Sequence, residues 1–398
     1  MGPLQGIKII DMTSVLMGPF ATQILGDYGA DVIKVEAPEG DITRLIGPTR
    51  NPGMGPVFLN ANRSKRSIAL DLKREAGRDV LLRLAAKADV LVYNIRPQAM
   101  GRLRLAYEDV AAVNPRIIYA GLFGFGQDGP YAAKPAYDDL LQGSSGLSHL
   151  LARAGDGTPR YVPTALADRV VGLSAVGAIL ASLLHRDRTG RGQRLDVPMF
   201  ETMVGFVLGD HLGGLTYEPP LDRGGYARHM SPDRRPYQTS DGFISVIIYT
   251  DKQWRSFFES TGLVELSQDP KFASFAGRLA NIDAVYGELG RIFKARTTAE
   301  WMTLLVEADI PAMPVHDLES ILKDPHLAAT DFFALTNHPS EGEIRSMRVA
   351  ARWSESPAEP ERLAPRLGQH SRAILREAGF TANEIARLIE DHVVSNQE

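Results

Sequence analysis

The first 36 residues place a β-branched run, a segment with helical spacing and a second strand-like run in immediate succession, a pattern that few folds accept. Residues 7–10 hold three isoleucines, residues 18–28 carry apolar side chains at helical intervals, and residues 31–36 return to a strand pattern. Two strands joined through a helix pair in parallel, and strand twist makes that crossover right-handed. The alternation continues with strand-like runs at 67–70, 90–93 and 117–120 and a helical segment at 76–86. This rhythm predicts an α/β protein with an open, Rossmann-like parallel sheet in its large domain.

The rhythm changes after Asp168, which opens a small-residue apolar helix ending near His185. Its apolar run, 170–184, spans 15 residues and includes Gly172, Ser174, Gly177 and Ser182, too short for a membrane span, so a buried helix is expected. A polar, glycine-punctuated turn follows at 185–194. Residues 217–235 are rich in Pro, Gly and Arg and read as a linker or lid. Beyond them, a strand at 243–248 and helices at 252–261, 282–295 and 298–308 predict a smaller α+β domain. Residues 371–394 have the pattern of a helical hairpin, with Thr381 as a cap.

Composition excludes several chemistries. The chain has no cysteine, which rules out disulfides, thiol catalysis and thiolate metal sites. Its nine histidines show no ligand spacing, so no metal centre is expected. A net charge of −4 gives no general attraction to nucleic acid or to an anionic membrane. Any anionic ligand must then be met by local bases. Residues 1–10 lack the basic and apolar regions of a signal peptide, which suggests a cytoplasmic protein.

Four groups of residues could carry chemistry. Gly124, Gly126 and Gly129 match the dinucleotide fingerprint after a strand, but Pro130 and Pro135 block the helix that should follow. The segment instead suits a flexible loop that wraps over a ligand. By spacing alone helix capping is the stronger explanation of Asp168; the functional one is that a helix N-terminus favours an ionised carboxylate able to act as a nucleophile. Arg63, Lys65 and Arg66 precede a strand, Asn94 and Arg96 follow another, and Arg102 and Arg104 come next. Most such residues are simply solvated, yet the carboxyl ends of parallel strands bind ligands, and phosphates are natural guests there. The adjacent carboxylates Asp138 and Asp139 point in different directions and make a poor acid/base pair; capping or a solvated face suits Asp139 better.

Read in order, these segments resemble the CaiB/BaiF family, the class III CoA-transferases. The resemblance rests on residues 18–36, from Gly18-Pro19-Phe20 to Lys34-Val35-Glu36, then Gly40, Asp41 and Arg44, and on Asn62 with Lys65 to Ile68. It continues through Asn94-Ile95-Arg96-Pro97, the loop from Gly124 to Tyr131, Asp168, the turn 188–193, Asp324-Pro325-His326-Leu327 and Leu367-Gly368-Gln369-His370. It implies a large CoA-binding domain begun by residues 1–215, a linker at 216–235, a small domain at 236–330 and a C-terminal segment, 331–398, returning to the large domain. It also implies two ring-like subunits interlocked as a homodimer.

The resemblance places the catalytic aspartate at Asp168. The implied reaction moves CoA between acyl-CoA and a small carboxylic acid through an aspartyl anhydride and an aspartyl-CoA thioester, with CoA as substrate and no prosthetic group. Leu16 would lie near the adenine, Asn62 and Arg63 beside the nucleotide, and Asn94, Arg96 and Arg102 on the phosphates. Tyr137, with Asp138 next to it, would line the thioester site. The loop 124–129 and residues 217–235 are the expected closures. Racemases of the same superfamily, acting on 2-methylacyl-CoA, are the alternative; they carry a histidine as base where this chain has Tyr137, a poor base at neutral pH. An acyl-CoA hydrolase or lyase using the same Asp168 would differ in needing no acceptor acid, and a CoA-binding module without catalysis would have no need of Asp168. A glycine-rich run of the formyl-CoA transferase subgroup is replaced here by residues 229–236, which makes formate and oxalate doubtful substrates, and Ala37 replaces a frequent arginine. Arg223, Arg228, Arg234 and Arg235 could recognise a second carboxylate, as in succinate.

Overall fold

The computed structural model describes residues 2–360 and 362–395. The chain forms two compact units: Met1–Ser145, Val162–Gly205 and Pro325–Glu398 make the first, and Gly146–Tyr161 with Phe206–Asp324 the second. The first is built on six parallel strands: β1 Lys8–Met12, β2 Asp31–Glu36, β3 Lys65–Leu70, β4 Val90–Tyr93, β5 Ile118–Phe123 and β6 Gln193–Pro198. Their spatial order is 3-2-1-4-5-6, and Val394–Ser395 adds an antiparallel edge beside β3. The sheet therefore reverses direction of growth between β1 and β4, and their carboxyl ends diverge into a crevice.

Parallel strands covered by helices on both faces read as continuous apolar runs, which is why these runs are legible in the sequence. All residues of β3, β4 and β5 are buried. Ile10, Leu91, Tyr93 and Tyr119 pack with Val80, Leu81 and Leu84 on one face, joined by Ile374, Leu375 and Ile385 of the C-terminal hairpin. That hairpin forms as expected, as helices Ser371–Glu377 and Ala382–Glu390, with Thr381 accepting from the Glu384 amide.

β3, though wholly buried, carries a lysine that lies against an aspartate of β1. Lys65 Nζ donates to Asp11 Oδ2 at 2.9 Å, to Asn62 Oδ1 at 2.8 Å and to the Pro19 carbonyl at 2.9 Å. Asp11 also accepts from the Thr22 hydroxyl at 2.7 Å and the Thr13 amide at 2.9 Å. Lys34, paired in register with Asp11, donates to the Thr13 carbonyl at 2.9 Å and to Asp41 Oδ2 at 3.0 Å. Burial pushes the Asp11 carboxyl up, but the Lys65 and Lys34 charges and the two hydroxyls outweigh it and hold it well below the usual carboxylate range.

The long apolar helix differs from expectation. It spans Leu166–Thr189, 24 residues, and by length and composition could cross a membrane. It is not buried throughout: Val171, Ala175, Ile179 and Leu183 face inward, while Leu173 and Leu184 are exposed. Its inner face packs on helix Met17–Asp27 so closely that a Cβ at Gly172 would lie 2.9 Å from the Met17 carbonyl oxygen. Arg186 anchors its far end to Asp89 at 2.7 Å. The turn expected at 185–194 shrinks to the residues around Gly190, because the helix runs on to Thr189 and β6 begins at Gln193. β6 escapes sequence reading because it ends the sheet, half-exposed, without a β-branched run.

The second unit holds a three-stranded antiparallel sheet, Tyr237–Gln238, Phe243–Val246 and Ala312–Pro314, over an aromatic core that includes Trp254, Phe257, Phe293 and Trp301. Residues 217–235 hold only one short helix, Ala227–Met230.

Lys65→Met would leave Asp11 buried with one cation and one hydrogen-bond donor fewer. Removing one partner of such a pair costs about 3–5 kcal/mol. Urea unfolding should show that loss, whereas replacing an exposed lysine such as Lys252 should change little.

Candidate active site

A cavity of about 260 Å³ opens at the crevice between β1 and β4. Its walls come from the turn after β1 (Ser14, Val15, Leu16), the turn after β4 (Asn94, Arg96), the loop after β5 (Gly124 to Tyr137) and the start of the long helix (Asp168). A second cavity, about 670 Å³, lies along the carboxyl ends of β1, β2 and β3, with Lys34, Lys73 and Arg102 in its wall. Ser14 borders both.

The turn after β1 is held from every side. Asn94 accepts from the Ser14 amide at 3.1 Å and donates to the Ser14 carbonyl at 2.9 Å, bridging the strand ends. Asp41 accepts from the Val15 amide at 3.3 Å. Val15 has a φ of 70°, a left-handed conformation that β-branched residues avoid and that persists only where surrounding contacts impose it.

Asp168 is in the first turn of its helix but does not cap it. The N-cap is Ala165, without a side-chain bond. The capping explanation for Asp168 therefore gives way. Its backbone amide donates to Asp138 Oδ1 at 3.0 Å. Burial and the neighbouring Asp138 charge push the Asp168 carboxyl up to about 6, against a smaller opposing pull from Arg169. The helix end thus does not keep Asp168 at an ordinary carboxylate value. Arg169 itself stacks on Phe20 at 4.2 Å and ties the two packed helices together.

Of the residues singled out in the sequence, Leu16, Asn94, Arg96, Tyr137, Asp138 and Asp168 meet at the smaller cavity, and Arg102 lines the larger. Asn62 and Arg63 reach neither. Asn62 is buried and bound to Lys65 and the Phe58 carbonyl. Arg63 grips Asp27, at 2.8 Å for the shortest contact, donates to the Met347 carbonyl, and borders a separate hollow. Lys134 was not singled out for the site, yet it lines the cavity, 3.5 Å over the Tyr131 ring. Its cue was only a charge between two prolines.

The glycine loop is pinned as well as tight. The Gly126 amide donates to Glu201 Oε1 at 2.9 Å, and Phe125 packs on Tyr131 and Phe200. A Cβ on Gly124 would fall 2.1 Å from that of Ala136, so this glycine serves close approach rather than flexibility. No helix follows until Asp138, in keeping with the failed dinucleotide match. Among the described residues, no cluster of three or more acidic or histidine side chains could hold a metal ion.

A crevice at the reversal point of a parallel sheet, lined by basic groups and one perturbed carboxylate, is the site of an enzyme that handles an anionic ligand. The chain belongs to CoA-transferase family III, whose model matches residues 4–371, and is thereby an enzyme that transfers CoA between carboxylic acids. It is 34% identical to succinyl-CoA:glutarate CoA-transferase of Mus musculus, over 100% of this chain and 92% of that protein. It is 37% identical to acetyl-CoA:oxalate CoA-transferase of Acetobacter aceti, over 82% and 84%. A crystal structure of a CaiB/BaiF family protein from Brucella suis matches with TM-score 0.80 and 34% identity, over 95% of this chain and 99% of that one.

A carboxyl with a raised pKa binds its proton more tightly folded than unfolded, so its ionisation costs stability as pH rises from the unfolded value through about 6. Asp168→Asn should therefore stabilise the fold by about 1–3 kcal/mol above pH 7, and the gain should vanish near pH 4. Thermal melts across this range test it; a gain independent of pH contradicts the assignment.

Proposed function

We propose that the protein is an acyl-CoA:carboxylate CoA-transferase in which Asp168 is the nucleophile and a small dicarboxylate is one of the exchanging acids. The observation that carries this reading is the Asp168 carboxyl, placed in a cavity beside the carboxyl ends of β1 and β4 together with Arg96 and Lys134.

An Asp168 oxygen attacks the thioester carbonyl, the C–S bond breaks, and CoA thiolate leaves an aspartyl anhydride. The thiolate then attacks the aspartyl carbonyl, releasing the donor acid and forming an aspartyl-CoA thioester. The acceptor carboxylate attacks that thioester, and CoA thiolate returns to the new acyl group, which restores Asp168. Each step exchanges one activated acyl bond for another, so no proton need be consumed overall. An Asp168 pKa near 6 leaves the group mostly ionised at neutral pH while making it a better nucleophile than an ordinary aspartate.

CoA is too large for the 260 Å³ cavity alone. Its nucleotide end belongs in the 670 Å³ cavity, with Lys73 and Arg102 on phosphates, and its pantetheine arm runs past Ser14 and Leu16 to Asp168. Asn94 then acts mainly as the brace of that passage, and Arg96 and Lys134 attract the remaining negative charge. The dicarboxylate reading is supported by the relatives from Mus musculus and Agrobacterium fabrum, which are succinate–glutarate CoA-transferases. Asn62 and Arg63 act as structural supports in this scheme.

Wild-type protein incubated with acyl-CoA and then hydroxylamine should yield a hydroxamate on Asp168, seen as a mass change on its peptide. Asp168→Asn should lose transfer by several orders of magnitude. A panel of acids should show dicarboxylates as the faster acceptors. A modification elsewhere, or full activity in Asp168→Asn, would sink the proposal.

We also propose a homodimer, supported by the exposed Leu173 and Leu184 along the outer face of the long helix. Sedimentation should give twice the chain mass at micromolar concentration; a stable monomer overturns it.

A further inference from the structure

Helix Asp138–Ser144 carries a side chain that lies outside the cavity wall but is bonded to the segment before Asp168 and to Asp138 beside it. Gln142 is fully buried and absent from the cavity wall. Its Oε1 accepts from the Val162 amide at 2.8 Å. Its Nε2 donates to Asp138 Oδ2 at 2.7 Å and to the Thr164 carbonyl at 3.2 Å, with a longer contact of 3.5 Å to the Val162 carbonyl. The other oxygen of Asp138 receives the Asp168 amide. One amide therefore ties the segment leading into the long helix to the carboxylate that holds the helix start.

We infer that Gln142 is the positioning residue for Asp168, acting through Asp138; the inference rests on the proposed nucleophilic role of Asp168. The geometry supports two effects. Gln142 holds residues 162–164 and so sets where the helix begins, and Asp168 projects from its first turn. It also orients Asp138, donating to one oxygen while the Asp168 amide donates to the other, which fixes a negative charge beside the nucleophile. A purely structural glutamine would need only the Val162 and Thr164 bonds. The bond to Asp138 is the additional feature.

The charged and titratable groups around Asp168 among the described residues are Asp138 on the facing helix, Arg169 on its own helix, and Tyr137, Arg96 and Lys134 on the cavity wall. Gln142 touches only Asp138 of these. The charge effect of its loss on Asp168 should thus pass through that carboxylate, beside the loss of its hold on residues 162–164.

The test compares Gln142→Met and Gln142→Glu with wild type in steady-state transfer across pH, alongside hydroxylamine trapping at residue 168. In Gln142→Met, Asp138 is free to turn toward solvent, so kcat should fall about 10- to 100-fold while KM for acyl-CoA stays within about twofold. The acid limb of its pH profile should move to lower pH, because the charge that disfavours ionisation of Asp168 has moved away. Gln142→Glu keeps an acceptor for Val162 but sets a carboxylate against Asp138. Its rate should recover as pH falls and the new side chain gains a proton to donate, the opposite of the wild-type trend. If Gln142→Met does not fold, Gln142→Glu carries the test alone.

Wild-type kcat and acid limb in both variants, with only a lower melting temperature, would overturn the inference and leave Gln142 a brace of the backbone. A missing hydroxamate in wild type would instead overturn the nucleophile reading, and this inference with it. A hydroxamate in wild type that forms at the same rate in both variants would overturn this inference alone.

Discussion

The pairing of Lys65 with Asp11 inside the sheet is the interaction on which the site depends. Two charges removed from water cost several kcal/mol each, and only close geometry with every remaining proton and lone pair engaged recovers that cost. Here all three Lys65 protons have acceptors, at 2.8–2.9 Å. Such pairs add little net stability compared with apolar packing, but they penalise any other register heavily. The consequence lies just beyond β1. Asp11 holds the Thr13 amide, Lys34 the Thr13 carbonyl and Asp41 the Val15 amide, so the unfavourable backbone at Val15 is imposed by charges buried beneath it. That turn presents Ser14 and Leu16 to the cavity.

At the opposite wall, two effects on Asp168 compete. A helix N-terminus favours an anion by about 0.3–1 kcal/mol when exposed. Burial and the Asp138 carboxylate act the other way and prevail, since the carboxyl rises to about 6. The expectation of an ionised Asp168 rested on the helix end and not on the neighbour from another helix, which raises the carboxyl without making it neutral at pH 7. Asp138 follows Tyr137 in sequence and lies thirty positions before Asp168, joined to it by a hydrogen bond to the main chain.

Legibility in the sequence follows burial. β2 and β4 match the predicted bounds, 31–36 and 90–93: β4 because a strand covered on both faces leaves an unbroken apolar run, and β2 because Val32, Ile33 and Val35 keep a β-branched pattern around Lys34. β6 did not stand out, because an edge strand such as Gln193–Pro198 answers to a single neighbour and tolerates arginine and aspartate. The cavity-lining residues Asn94, Arg96 and Asp168 were legible because turns after parallel strands and helix starts are where ligands are met. Asn62 and Arg63 looked alike in sequence but turn inward to Lys65 and Asp27, which only the packing of helix Met17–Asp27 decides. Gln142 gave no signal, since its partners at 162 and 164 are joined to it by no periodicity.

On the proposed mechanism, the same packing bears on how water is kept from an anhydride or thioester, either of which would hydrolyse if exposed. A loop rich in glycine suggests a moving cover. Here Gly124 is locked against Ala136, and Gly126 is bonded to Glu201, so this stretch is a fixed wall. Tyr137 is 66% exposed although it lines the cavity. An aromatic ring with so much open surface gains most when apolar material covers it, and the pantetheine arm and acyl chain of a bound thioester are such material. On the proposed scheme the substrate completes the enclosure of Asp168 by packing on Tyr137, and a fixed wall then suffices where a lid would otherwise be needed.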